Sequence, residues 1–145
     1  MQDLPSRRLV ILGVAASDSH AVANHLIAHF LRSCGFEVVN LGPCTPVSEF
    51  AEACRAHPEA EAVIIGSLNG HAHEDLRDLP AARAAGRITC PVVVGGNLSV
   101  GSRKDPAALD RLRELGVDHI LADPARLPGL LDGLRSADPA LAAVS

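Results

Sequence analysis

Five short runs rich in valine, isoleucine and leucine recur along this chain, and longer stretches rich in alanine and leucine, with charges at helical spacing, separate them. The short runs are residues 9–14, 37–41, 62–65, 91–94 and 119–122. The longer stretches are residues 21–34, 46–56, 74–85, 106–115 and 127–136. Strands that are apolar on both faces need cover on both sides, and helices flanking a parallel sheet provide it. Gly35 and Gly116 fall where a helix would end in a left-handed residue. Pro46 and Pro106 suit first turns, which Ser48 or Asp105 would support. The pattern predicts an α/β fold, a doubly wound five-stranded parallel sheet in the flavodoxin-like order 2-1-3-4-5. One domain is expected over residues 1–136, with residues 137–145 as a flexible tail.

Composition removes several function classes. The 145 residues carry 13 basic and 17 acidic side chains, a net charge of −4, with three phenylalanines and no tyrosine or tryptophan. There is neither a basic surface nor a stacking platform for nucleic acid, so no nucleic-acid partner is expected. Cys34, Cys44, Cys54 and Cys90 include no C-x-x-C pair, which argues against a structural zinc site and a thioredoxin-like motif. They read as reduced thiols of a cytoplasmic protein. No apolar run approaches about 18 residues and residues 1–8 lack an apolar signal core, so no membrane span or secretory peptide is expected.

In an open α/β sheet, ligands bind beyond the carboxyl ends of the strands, near the point where strand order reverses. The loops of interest are therefore residues 15–20, 66–73 and 95–101. Asp18 and His20 are two apart ahead of a helix, a spacing at which the carboxylate can hold one imidazole nitrogen while the other faces a metal. The same pair equally reads as a helix cap and an exposed first-turn residue. Gly95 and Gly96 directly after an apolar strand suggest a backbone that something approaches closely, or a plain turn. With Gly66 and Gly70 they would leave an elongated slot along the upper edge of the sheet. His71 and His73 read as solvated, His25 and His29 as surface or interface residues, and Cys44 as part of the rim. No acid–base or nucleophile arrangement is present.

Other tenants of this fold fail the same loops. A phosphoacceptor domain needs an aspartate where Gly66 stands, a flavodoxin needs a Ser/Thr-rich first loop and aromatics, and a dinucleotide fold needs G-x-G-x-x-G where Gly13 is alone.

Residues 13–26 (GVAASDSHAVANHL), residues 35–42 (GFEVVNLG), the Ser67-Leu68 turn and Gly95-Gly96-Asn97 closely resemble the small, cobalamin-binding subunit of glutamate mutase, also called methylaspartate mutase. The likeness runs from about Leu9 to Leu134. It implies adenosylcobalamin as cofactor, with His20 as the lower axial ligand of cobalt in place of the cofactor's own dimethylbenzimidazole and Asp18 hydrogen-bonded behind it. The displaced nucleotide tail would enter the slot. Ser17, Asp18, Ser19, His20 and Ala21 would form its first wall, and Gly66, Ser67 and Leu68 the second. Asn97, Leu98, Ser99, Val100 and Gly101 would form the third, beyond the close approach at Gly95 and Gly96.

Two positions depart from the family signature D-x-H-x-x-G, S-x-L, G-G: Ala23 stands for its glycine and Gly66 for its first serine, leaving Ser67 one place late. The resemblance further implies a radical rearrangement of L-glutamate to 3-methylaspartate, no activity in this chain alone, and a large barrel-shaped substrate-binding partner in a heterotetramer. The reading from another class is a corrinoid-binding or protein-interaction module that serves no mutase.

Overall fold

Five strands form one sheet in the predicted order 2-1-3-4-5, all neighbours parallel. The computed structural model describes residues 8–17, 21–67, 72–96 and 106–137. The strands are β1 (Arg8–Val14), β2 (Phe36–Asn40), β3 (Val63–Ser67), β4 (Val92–Gly96) and β5 (His119–Leu121), within two residues of the sequence runs. The helices are α1 (Val22–Ser33), α2 (Val47–Ala56), α3 (Ala72–Asp75), α4 (Leu79–Ala84), α5 (Pro106–Glu114) and α6 (Leu127–Ala137), with a 3-10 turn at Pro124–Arg126.

The expected single helix over 74–85 is two helices instead, α3 and α4. Pro80 lies in the first turn of α4, and a proline carries no N–H to continue a helical ladder, so it begins a helix rather than extends one. Pro46 stands one place outside α2, in extended conformation, whereas Pro106 opens α5. Gly35 and Gly116 are left-handed at the ends of α1 and α5, with φ of 96° and 107°.

The sheet separates two apolar layers. Alternate residues of β1, Leu9 and Ile11, face α2, α4 and α5 with Phe50, Leu79 and Leu112. The intervening Val10 and Leu12 face α1 and α6 with Leu31 and Leu131. Strand periodicity of two assigns every residue of the central strands to one layer or the other. Among the described residues, α1 and α6 cover the second face, and a space between them lies over the sheet. No helix among the described residues is long and apolar enough to cross a membrane.

Candidate functional site

A cavity of about 360 Å³ opens on the α1/α6 face at the carboxyl ends of the strands. Its floor follows from sheet register. One row runs Leu12, Ile64, Val93, and the next row toward the carboxyl edge runs Val14, Gly66, Gly95, Leu121. The two glycines lie side by side, so the second row has a gap where side chains would otherwise stand, and the cavity extends over it. Ala23, Asn24 and Ile27 of α1 form one wall; Leu121, Pro124 and Leu127 form the other.

The glycines are there for different reasons. A Cβ on Gly66 would meet nothing nearer than the Gly13 carbonyl at 3.9 Å, so this position is open into the cavity. A Cβ on Gly95 would lie 2.8 Å from the Leu121 carbonyl oxygen of β5. The close approach expected at this position is therefore made, at least in part, by the neighbouring strand. Gly96 has φ of 110°, a conformation that side chains rarely adopt.

Asn24 is the only polar side chain among the described residues that line the cavity. It is 3% exposed, and its Nδ2 has no hydrogen-bond partner among the described residues. Leaving a buried donor unpaired costs about 1–3 kcal/mol, which marks a place where a polar atom of something else belongs. Sequence reasoning missed this residue: in an amphipathic helix an asparagine reads as part of the solvated face. The signal was its position, four residues before the buried Ala28 and so on the inner face.

The residues singled out from the sequence fall in several places. Ser17 follows β1 and donates to Asp75 of α3 through its N–H at 3.2 Å and its hydroxyl at 2.7 Å, which ties the first loop to α3. Ala21 occupies the capping position of α1. Ser67 is fully buried, and strand alternation turns it to the face opposite Gly66, so its hydroxyl does not stand in for the missing serine. Its Oγ also lacks a partner among the described residues. Ala23 lines the cavity, where the family signature has glycine. His25, His29 and His73 are exposed, and Cys44 is an exposed residue with φ of 55° beyond β2. Asp18, Ser19, His20, Leu68, His71, Asn97, Leu98, Ser99, Val100 and Gly101 lie outside the described residues.

The perturbed ionisations lie elsewhere. Cys54, near the end of α2, is pushed down from the ordinary thiol range because the Cys90 thiol donates to it, and Cys90, just before β4, is pushed up by the same contact and by burial.

The B12 binding domain family matches residues 8–128. A glutamate mutase sigma subunit of Halobacterium salinarum is 39% identical over 127 residues, 88% of this chain and 85% of that protein. One from Clostridium cochlearium is 33% identical over 117 residues, 80% of this chain and 85% of that protein.

This chain belongs to the glutamate mutase sigma subunit family.

Among solved structures, a cobalamin-binding protein from Desulfitobacterium hafniense superimposes with a TM-score of 0.72 over 89% of this chain, at 21% identity. The methanol:cobalamin methyltransferase complex from Methanosarcina barkeri gives 0.70 over 90%, also at 21% identity. This chain spans 60% and 47% of those two chains, and at such identity the likeness shows the shared fold.

Proposed function

We propose that this chain is the cofactor-binding subunit of a carbon-skeleton mutase that interconverts L-glutamate and 3-methylaspartate with adenosylcobalamin. The observation that carries the reading is the cavity over Gly66 and Gly95, set at the strand ends of a chain in the sigma subunit family. The residues present fit the group. An apolar floor of Leu12, Ile64 and Val93 suits a flat aromatic base, the open Gly66 leaves room for it, and the unpaired Asn24 donor awaits a polar atom.

Bound adenosylcobalamin supplies radical chemistry through homolysis of its cobalt–carbon bond. The chain's own part is to bind and orient. His20 would hold the cobalt, and Asp18 would fix the imidazole tautomer and strengthen the nitrogen as a donor. Ser17 to Ala21, Gly66, Leu68 and Gly95 to Gly101 would enclose the displaced tail, while Ser67 faces the other side of the sheet. The described residues that line the cavity carry no acid, base or carboxylate clamp for an amino-acid substrate. In this reading substrate binding would fall to a large barrel-shaped partner subunit, with which this chain would form a cytoplasmic heterotetramer.

The test mixes the purified chain with adenosylcobalamin and follows its visible spectrum through gel filtration. With no tryptophan or tyrosine, the chain itself absorbs very little near 280 nm, so corrinoid absorbance that travels with it is not mistaken for aromatic absorbance. Colour should travel with the protein, and the mixture with the large subunit should turn over glutamate while this chain alone does not. Colour that elutes wholly with small molecules, at high protein concentration and with the partner present, overturns the reading. Retained colour with no turnover in the mixture points to a corrinoid module without a mutase role.

A further inference from the structure

The amide of Asn24 has a fixed orientation, and a backbone group two elements away fixes it. The Gly42 N–H donates to Asn40 Oδ1 at 3.0 Å, which turns the Asn40 Nδ2 toward α1. That Nδ2 donates to Asn24 Oδ1 at 2.8 Å. Exchanging oxygen and nitrogen on either asparagine would set two donors or two acceptors against each other, so the order cannot reverse. Asn24, a residue that lines the cavity, thus spends its acceptor on Asn40 and keeps its Nδ2 as a buried, unpaired donor.

Among the described residues that line it, the slot is apolar with one buried side-chain donor, which suits an occupant that is flat, mostly apolar and equipped with an acceptor. A benzimidazole that has left cobalt fits this description: the nitrogen that held the metal now carries an in-plane lone pair, and in an apolar slot that lone pair must be paired. Gly66 has no hydroxyl to offer, and Ser67 faces away. We propose that Asn24 Nδ2 donates to the ring nitrogen of the cofactor's displaced tail base, taking the place of the missing serine from the opposite wall. This rests on the cobalamin reading above and assigns Asn24 as a positioning residue for the tail.

The experiment compares two cobamides of the same nucleotide-loop design, one with a dimethylbenzimidazole tail and one with a para-cresol tail, which has no ring nitrogen. Each is titrated into the wild-type chain, Asn24→Ala and the near-isosteric Asn24→Leu, with binding read from the visible spectrum and folding from circular dichroism. Comparing each cobamide only with itself across the variants cancels the intrinsic difference in base release. Both variants should bind the benzimidazole form about three- to tenfold more weakly, the range for one neutral hydrogen bond, and the cresol form within about twofold of wild type. Equal losses for the two cobamides, or none for either, overturn the role of Asn24 while leaving cofactor binding intact. If the wild-type chain takes up neither cobamide, the functional reading itself falls and the inference with it. Asn24→Leu keeps the side-chain volume, so the comparison survives if Asn24→Ala does not fold.

Discussion

Gly66 and Gly95 are register partners on neighbouring strands, and only one of them has room for a side chain. Gly66→Ala should leave stability unchanged or raise it by up to about 1 kcal/mol, since glycine in a strand carries that entropic cost. Gly95→Ala drives a methyl against the Leu121 carbonyl and should cost about 1–3 kcal/mol, as overpacking does. Urea unfolding followed by circular dichroism distinguishes them, and equal midpoints would contradict the geometry.

A hydroxyl restored at Gly66 tests which wall serves the cofactor. One in-plane nitrogen lone pair accepts one hydrogen bond, so Gly66→Ser should change the affinity of the wild-type chain for adenosylcobalamin little. In the Asn24→Ala background the same serine should recover about fivefold, corresponding to ~1 kcal/mol. Equal gains in both backgrounds would mean that the two side chains address different atoms. The measurement is a four-way titration of wild type, the two single variants and the double variant.

Gly13 is fixed by a neighbour rather than by a ligand. A Cβ there would lie 2.7 Å and 2.8 Å from two ring atoms of Phe50, which is fully buried in α2. Gly13→Ala should therefore cost about 1–3 kcal/mol. Phe50→Leu alone loses volume, but combined with Gly13→Ala it should destabilise less than the sum of the two. Additive losses in denaturant midpoints would show that the clash is relieved some other way.

The sheet was legible because its code is short-range. Runs such as Leu9 to Val14 and Val92 to Val94 carry their burial in their own composition, and Gly35 and Gly116 announce their turns. The break between α3 and α4 was not read, although Pro80 carried the signal, because the apolar period continues across it from Leu76 to Leu79. In the site, Gly66 and Gly95 could be named from the sequence, but their adjacency depends on register between strands that are 29 positions apart in the chain. The spacing of Asn24 from Ala28 marked it as inward-facing, but that its Nδ2 is left over as a donor became visible only through its bond with Asn40, 16 positions away. The Cys54–Cys90 contact is of this kind too.

Arg8 closes the opposite end of the sheet. Its guanidinium donates to both oxygens of Glu61, which is 7% exposed, reaches Asp132 of α6, and lies 4.7 Å from the centre of the Phe36 ring. Its pKa is raised further above its ordinary value, first by the hydrogen bond to Glu61. Arg8→Met would strand a nearly buried carboxylate and should cost about 2–3 kcal/mol. Adding Glu61→Leu should return much of it, because an apolar pair of similar volume replaces a buried ion pair at little loss. Cofactor uptake should be unaffected in every folded variant, since the site lies at the other end of the strands.

The thiol pair gives the chain a dependence on pH that can be worked out in sign. Cys54 is pushed down, first by the hydrogen bond from the Cys90 thiol and also by the nearby Arg83 cation, while Cys90 is pushed up by that same bond and by burial. Between the lowered Cys54 value and the ordinary thiol value of about 8.5, the unfolded chain holds a proton that the folded chain has released, so stability rises with pH. Above that value the unfolded chain has lost both protons and the folded chain still keeps one on Cys90, so stability falls. Unfolding midpoints measured under reducing conditions from about pH 6 to 10 should therefore pass through a maximum near the ordinary thiol value. Cys90→Ala removes the donor, so Cys54 should return toward ordinary thiol behaviour and the rise on the acid side should flatten. Alkylation gives an independent check, because only the thiolate reacts. With the exposed Cys34 and Cys44 replaced by serine, a limiting amount of iodoacetamide near pH 8 should label Cys54 well ahead of Cys90, as peptide mass mapping would show. Equal labelling of the two would mean that the proton is not held on Cys90.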